Sequence, residues 1–194
     1  RGVRSIGMGT TGTADASGLG TGYFNPASMA FADATYLAGS YEDIGHGINL
    51  SEVVLSTPIP FHADSTASAW KFAGSFGYGR LGMESQTHRT IFLPEGTGDT
   101  FDASDWGLTA LGAASWTRGV TTLSAGAAGK YLESNYGTVG DASTWALDLG
   151  VLAAFPLDLG GGGVFRPRLG FAALGLDTGV SFDERESEVE NQYR

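Results

Sequence analysis

Three groups of residues in this chain have the types and spacing that chemistry would need. The first is Gly7-Met8-Gly9-Thr10-Thr11-Gly12, which fits the letters of G-x-G-x-x-G. In a dinucleotide site that pattern follows a buried strand, opens a helix and is answered by an acidic residue about 20 positions on. Here the preceding Arg1 to Ile6 is short and charged, and the following stretch is glycine-rich without helical period. The pattern therefore reads as a closely packed or tightly turning segment. The second group is His46, His62 and His88, which share no ligand spacing and fall in separate segments, so no metal site is expected. No G-x-S-x-G elbow accompanies them, and the carboxylates of 183–190 read as a solvated run. No catalytic residue, metal ligand or cofactor is assigned, and the chain reads as non-enzymatic. The third group is Asp148, Arg166 and Arg168, which read as solvated or plug-contacting charges on the inward face and, in the sharper reading, as a contact site for an anion or carboxylate.

The elements that carry these residues repeat every two positions. In Ala69 to Gly79, Trp70, Phe72, Phe76 and Tyr78 share one face, and Lys71, Ala73, Ser75 and Gly77 share the other. The same division recurs with Trp106, Leu108 and Trp116 against Thr109 and Ser115. It recurs again with Leu123 and Tyr131 against Ser124 and Lys130, and with Trp145, Leu149 and Val151 against Asp148 and Gly150. Strands are expected at about 35–42, 48–59, 69–79, 81–93, 105–117, 120–133, 144–156 and 164–174, about eight in an up-and-down meander. Gly45-His46-Gly47, Gly79-Arg80, Arg118-Gly119 and Gly160 to Gly163 supply short turns. Longer links at 60–68, 94–104 and 134–141 are expected at the opposite end. A hairpin centred near 160 sets Arg166 opposite Ala154 and Arg168 opposite Leu152. Asp148 is then about 13 Å from that level, and no salt bridge follows.

Composition narrows the class. The chain has 194 residues, a formal net charge of −10, 31 glycines and no cysteine. An acidic chain lacks the basic face that nucleic acid requires, and the absence of cysteine removes disulfides and thiolate chemistry. No run of about 18 apolar residues exists, so no transmembrane helix is expected, but transmembrane strands alternate and escape that test. Trp106 and Trp116 lie ten residues apart on one face, Trp145 and Phe155 repeat the spacing, and Trp70 and Tyr78 are eight apart. Ten residues at about 3.3 Å, tilted by about 45°, climb about 23 Å, close to the apolar band of an outer-membrane barrel between its aromatic girdles. These six residues are therefore expected at the lipid interface. The opposite face, with Lys71, Lys130, Asp148, Arg166 and Arg168, is expected to line the lumen.

The N-terminal stretch carries a resemblance. Arg4-Ser5-Ile6-Gly7-Met8-Gly9, then Thr13-Ala14-Asp15-Ala16, then Tyr23-Phe24-Asn25-Pro26-Ala27 resembles the start of FadL-like outer-membrane proteins. That family includes long-chain fatty-acid transporters and PorV-type components of the type IX secretion system. The resemblance implies a hatch over residues 1–34, with Asn25, Pro26 and Ala27 as its motif, and strands of a bacterial outer-membrane barrel over 35–176. Residues 177–194 then form an acidic loop or the start of a further strand, which Val180 and Phe182 would open. Family barrels have about 14 strands, so part of the barrel is expected to lie outside this sequence. The implied partners are membrane lipid, a hydrophobic small molecule or the proteins of an envelope assembly. Three functions follow: passage of hydrophobic small molecules, a PorV-like anchor for protein partners, and, outside the resemblance, a soluble β-rich structural module.

Overall fold

The computed structural model describes residues 12–15, 21–60, 68–136, 140–158 and 164–183. The glycine pattern before Gly12, His62, the Gly160–Gly163 turn and the acidic run after Asp183 lie outside them. The chain enters through two short 3-10 helices, η1 (Thr21–Tyr23) and η2 (Pro26–Phe31). Six strands follow: β1 (Tyr36–Gly45), β2 (Ile48–Ile59), β3 (Ser68–Thr87), β4 (Thr100–Arg118), β5 (Thr121–Asn135) and β6 (Asp141–Ala154). A small ribbon of β7 (Leu157–Asp158) and β8 (Val164–Phe165) leads to β9 (Arg168–Asp183). The main sheet is antiparallel and up-and-down, in the order β1-β2-β3-β4-β5-β6-β9. β1 and β9 are not paired with each other, so the sheet is open.

The strand count corrects the expected eight. Residues 69–79 and 81–93 are not two strands joined at Gly79-Arg80, because β3 is continuous over 20 residues. Gly79 supplies a small residue above Glu52 rather than a turn. The apolar residues change face at this point. Phe76 and Tyr78 lie on one side, whereas Leu81 and Met83 pair with Leu50 and Ile48 on the other. A strand whose apolar side switches halfway imitates two strands. Val180 and Phe182 likewise do not open a further strand, since they belong to the second half of β9.

Short and long links do not segregate by end. The tight Gly45-His46-Gly47 turn, where all three residues have positive φ, shares its end of the sheet with the long link 88–99. The two-residue link between β4 and β5 shares the other end with 60–67.

The described N-terminal residues, called the hatch for their position alone, lie on one face of the sheet, the hatch face. η2 packs across β3, β4, β5 and β6. Met29 and Ala30 are buried against Ala113, with Leu111 and Ala32 beside them. The sheet residues under the hatch are small or polar: Ala73, Ser115, Ser124 and Ala128 are all buried. The large side chains of β2, β3, β6 and β9 point the other way, and Phe76, Trp145 and Phe171 are more than half exposed. Alternation thus sorts the strands as the sequence implies, with the small face inward and the aromatic face outward.

Candidate functional site

The hatch motif sits on a floor of glycine. Gly126 of β5 and Gly150 of β6 are register partners. A Cβ on Gly126 would lie 2.5 Å from the carbonyl carbon of Pro26 and 2.7 Å from Ala27 N. A Cβ on Gly150 would overlap Asn25 Oδ1 and come within 2.9 Å of Pro26 Cδ. On β9, Gly170 is equally tight under the Thr13 carbonyl. Only glycine lets the hatch backbone approach this closely.

Asn25 is fully buried, and every polar group of its side chain is occupied. As N-cap of η2, its Oδ1 accepts from Ala27 N at 3.0 Å. Its Nδ2 donates to Thr13 O at 2.8 Å and to Val151 O at 3.0 Å, with Phe171 O at 3.5 Å. One amide therefore joins two hatch segments to β6. Pro26 occupies the first helical position, where its missing N–H is harmless and its fixed φ suits the turn. Ser28 Oγ donates to Asn25 O at 2.8 Å, and Ser115 Oγ donates to Ala30 O at 3.4 Å.

The expected lumen charges divide into separate arrangements. Lys130 of β5 and Asp148 of β6 form an ion pair, Nζ to Oδ2 at 2.5 Å. The other carboxylate oxygen accepts from Gly175 N at 2.8 Å. Gly175 has φ +67° and lies where the β6–β9 register shifts between Leu147 and Leu149. Asp148 thus fills a bulge in β9 and neutralises an ammonium from β5, tying three strands together. Its carboxylate is fully buried, while the lysine keeps 23% of its side chain exposed.

The arginines lie elsewhere. Arg168 pairs with Ala154 rather than Leu152, two positions from the expected register, and its guanidinium lies 3.9 Å from Asp15 of the hatch. Arg166 is exposed beside the ribbon. Asp148 makes no pair with Arg166 or Arg168 among the described residues; the charges instead form two ion pairs, Lys130–Asp148 and Arg168–Asp15. Lys71 is exposed on the hatch face opposite Ser115, close enough to Asp33 for its charge to favour that carboxylate. The dominant influence on Asp33 is a hydrogen bond from Tyr36 Oη at 2.6 Å, which holds its pKa below the ordinary carboxylate value.

Between hatch and sheet lies a cavity of about 30 Å³, walled by Tyr23, Met29, Ser75, Thr109, Lys130 and Asp148 among others. That is room for about two water molecules, far too little for an acyl chain. Burial, and secondarily the charge of Glu52, pushes the Tyr23 phenol pKa up.

The six aromatic residues fall into two rows on the outer face. Tyr78, Leu108, Tyr131 and Trp145 are successive register partners across β3 to β6, with Trp106 one step further out. Tyr131 packs against Trp106 and Trp145 at ring separations of 5.4 and 4.9 Å. At the opposite end Trp70 pairs with Trp116, which pairs with Leu123, and Phe155 follows the end of β6. Sequence reasoning selected neither Tyr131 nor Asp15 for these contacts, and it did not pair Lys130 with Asp148. A register for the β5–β6 hairpin with paired numbers summing to 276, as in Asn135 and Asp141, sets Lys130 opposite Ala146 and so makes Asp148 its diagonal neighbour on the same face.

No family model matches the chain, and no curated protein matches it.

Proposed function

We propose that the chain forms an arc of a hatch-plugged β-barrel in a bacterial outer membrane, and that it serves without catalysis as a membrane-seated anchor for protein partners. One observation carries the membrane assignment. Between the two aromatic rows, the outward positions of β2 to β6 and β9 hold Val53, Leu55, Phe72, Phe76, Leu149, Val151, Phe171 and small residues, with no charge among the described residues. Charge resumes at the margins: Arg80 and Glu133 share the row of Trp106, and Arg118 lies past Trp116. An uncharged exposed band this wide suits hydrocarbon and would be an aggregation hazard in water. Hydrocarbon tolerates no open sheet edge, so this reading requires further strands between β9 and β1.

The anchor role is favoured over passage by the seating of the hatch. Its described residues are fixed on close-fitting glycines, and the cavity of about 30 Å³ beneath them has the Lys130–Asp148 ion pair in its wall. Passage of a hydrophobic small molecule is the second reading. It is favoured by the small residues beneath the hatch, which would leave a wide lumen were the hatch displaced.

Detergent partition, heat-modifiable gel migration and quenching of Trp145 fluorescence by brominated lipid test the proposal. The expected result is detergent dependence with strong quenching. A chain soluble without detergent sinks the membrane reading. Given detergent dependence, lipid co-purified in the lumen would favour passage, whereas a stoichiometric protein partner would favour the anchor.

A further inference from the structure

The described cations of the main sheet divide by face. On the hatch face each has an acidic residue beside it: Lys130 has Asp148, Arg168 has Asp15 and Lys71 has Asp33. The outer face carries two, Arg80 and Arg118. Both are exposed, and neither makes an ion pair or a side-chain hydrogen bond among the described residues. Glu133 does not answer Arg80. Trp106 stands between them in the register, and Glu133 already accepts from Tyr131 Oη at 2.9 Å. Arg118 has Ser68 and Thr121 as register partners and no carboxylate beside it among the described residues. Each guanidinium is placed by a tryptophan: Arg80 pairs with Trp106, and Arg118 follows Trp116 on the same face of β4.

The spacing of the two is that of a bilayer's two headgroup layers. From Trp106, at the level of Arg80, to Arg118 the strand runs about 40 Å, which at a tilt of about 45° is about 28 Å of height. The apolar band of an outer-membrane barrel is about 25 Å tall. Both guanidinium groups therefore emerge just beyond the hydrocarbon, one on each side, at the depth where phospholipids carry their phosphates. We infer that Arg80 and Arg118 are lipid-phosphate sites, one in each leaflet, which fix the depth at which the sheet sits. This rests on the membrane reading and names the ligand of its two margins. Arginine suits the ligand, because its planar fork donates two parallel hydrogen bonds to phosphate oxygens, while its stem lies along apolar surface. The tryptophan beside each places an amphipathic ring at the same level. The hatch-face cations cannot serve in this way, since they point away from lipid and have carboxylates of their own chain beside them.

The experiment labels the guanidinium carbons of the full chain with carbon-13 and reconstitutes it in vesicles of phosphatidylethanolamine and phosphatidylglycerol, in buffer free of inorganic phosphate. Carbon–phosphorus dipolar dephasing in the solid state then reports arginines in contact with lipid phosphate. The expected result is a dephased arginine signal from which Arg80→Gln and Arg118→Gln each remove a part. Arg89→Gln, in the exposed link beyond β3, should remove none. Both replaced side chains are exposed and unpartnered among the described residues, so the variants should fold as the parent does. Dephasing unaltered by either variant, or lowered equally by Arg89→Gln, would overturn the inference. So would dephasing of the same two arginines by inorganic phosphate in lipid-free detergent, which would assign them to the free anion. Vesicle flotation separates the two readings. A chain that does not float with the vesicles overturns the membrane reading and this inference with it, whereas a chain that floats without dephasing at Arg80 and Arg118 overturns this inference alone.

Discussion

Gly126 and Gly150 lie side by side across β5 and β6, and together they form the surface against which Asn25 and Pro26 rest. The atoms that a new Cβ at Gly126 would strike belong to hatch backbone, which has no rotamer to yield. Gly126→Ala and Gly150→Ala should therefore each destabilise hatch seating by about 1–3 kcal/mol, the usual cost of overpacking. Limited proteolysis should show faster cleavage within the hatch and unchanged cleavage of the sheet. Gly129→Ala is the control, because a Cβ there meets nothing within 4 Å.

Asn25 separates donor from acceptor chemistry. Asn25→Ala removes the cap and strands two carbonyl partners, at a cost of about 2–3 kcal/mol. Asn25→Asp keeps the acceptor for Ala27 N but turns a carboxylate towards the carbonyls of Thr13 and Val151. Burial and those carbonyls raise its pKa, and the protonated acid donates where the amide did. Asn25→Asp should therefore gain stability as pH falls, opposite in sign to a salt-bridged aspartate, whereas Asn25→Ala should not share that gain. Thermal unfolding at pH 5 and pH 8 would expose the contrast.

Lys130→Met leaves the Asp148 carboxylate buried without its counter-ion and should cost about 3–5 kcal/mol. Asp148→Asn should cost less, because its amide oxygen still accepts from Gly175 N and the lysine keeps access to the cavity. The double variant should recover much of the Lys130→Met loss. Denaturant unfolding of the four proteins gives the coupling energy directly, and additive losses would contradict the pairing.

Tyr36→Phe removes the hydrogen bond that holds the Asp33 pKa down. A depressed folded-state pKa gives stability that is present above the unfolded value of about 3.8 and disappears as pH falls through the folded value. The variant should move the Asp33 titration up towards its ordinary position, measurable by carboxyl NMR. Asp33 is fully exposed, so the effect should appear in the titration and hardly in the melting temperature.

The division of faces was legible because it depends on parity alone: Trp70, Phe72, Phe76 and Tyr78 share a side whatever their neighbours do. The length of β3 was not legible. Leu81 and Met83 continue the alternation on the opposite face, and Gly79-Arg80 has the chemistry of a turn. The hatch motif stood out at Asn25-Pro26-Ala27, but its support did not. Gly126, Gly150 and Gly170 are ordinary strand glycines in sequence, and only tertiary approach distinguishes them. The Lys130–Asp148 pair followed from a register that local turn signals around 137–139 do not fix. Arg168 found Asp15 because the hatch crosses to β9, which no local pattern encodes.

The bond from Asn25 to the Val151 carbonyl spans 126 positions of sequence. The hatch thus precedes every strand of its docking surface in the chain, and Gly126, Gly150 and Gly170 must be aligned in three later strands before it can seat. Contacts of such separation close late and slowly. The hatch should therefore register the alignment of β5, β6 and β9 in time as well as in space. Until β5, β6 and β9 are in register it has nowhere to bind, and its protection from proteases becomes a clock for assembly.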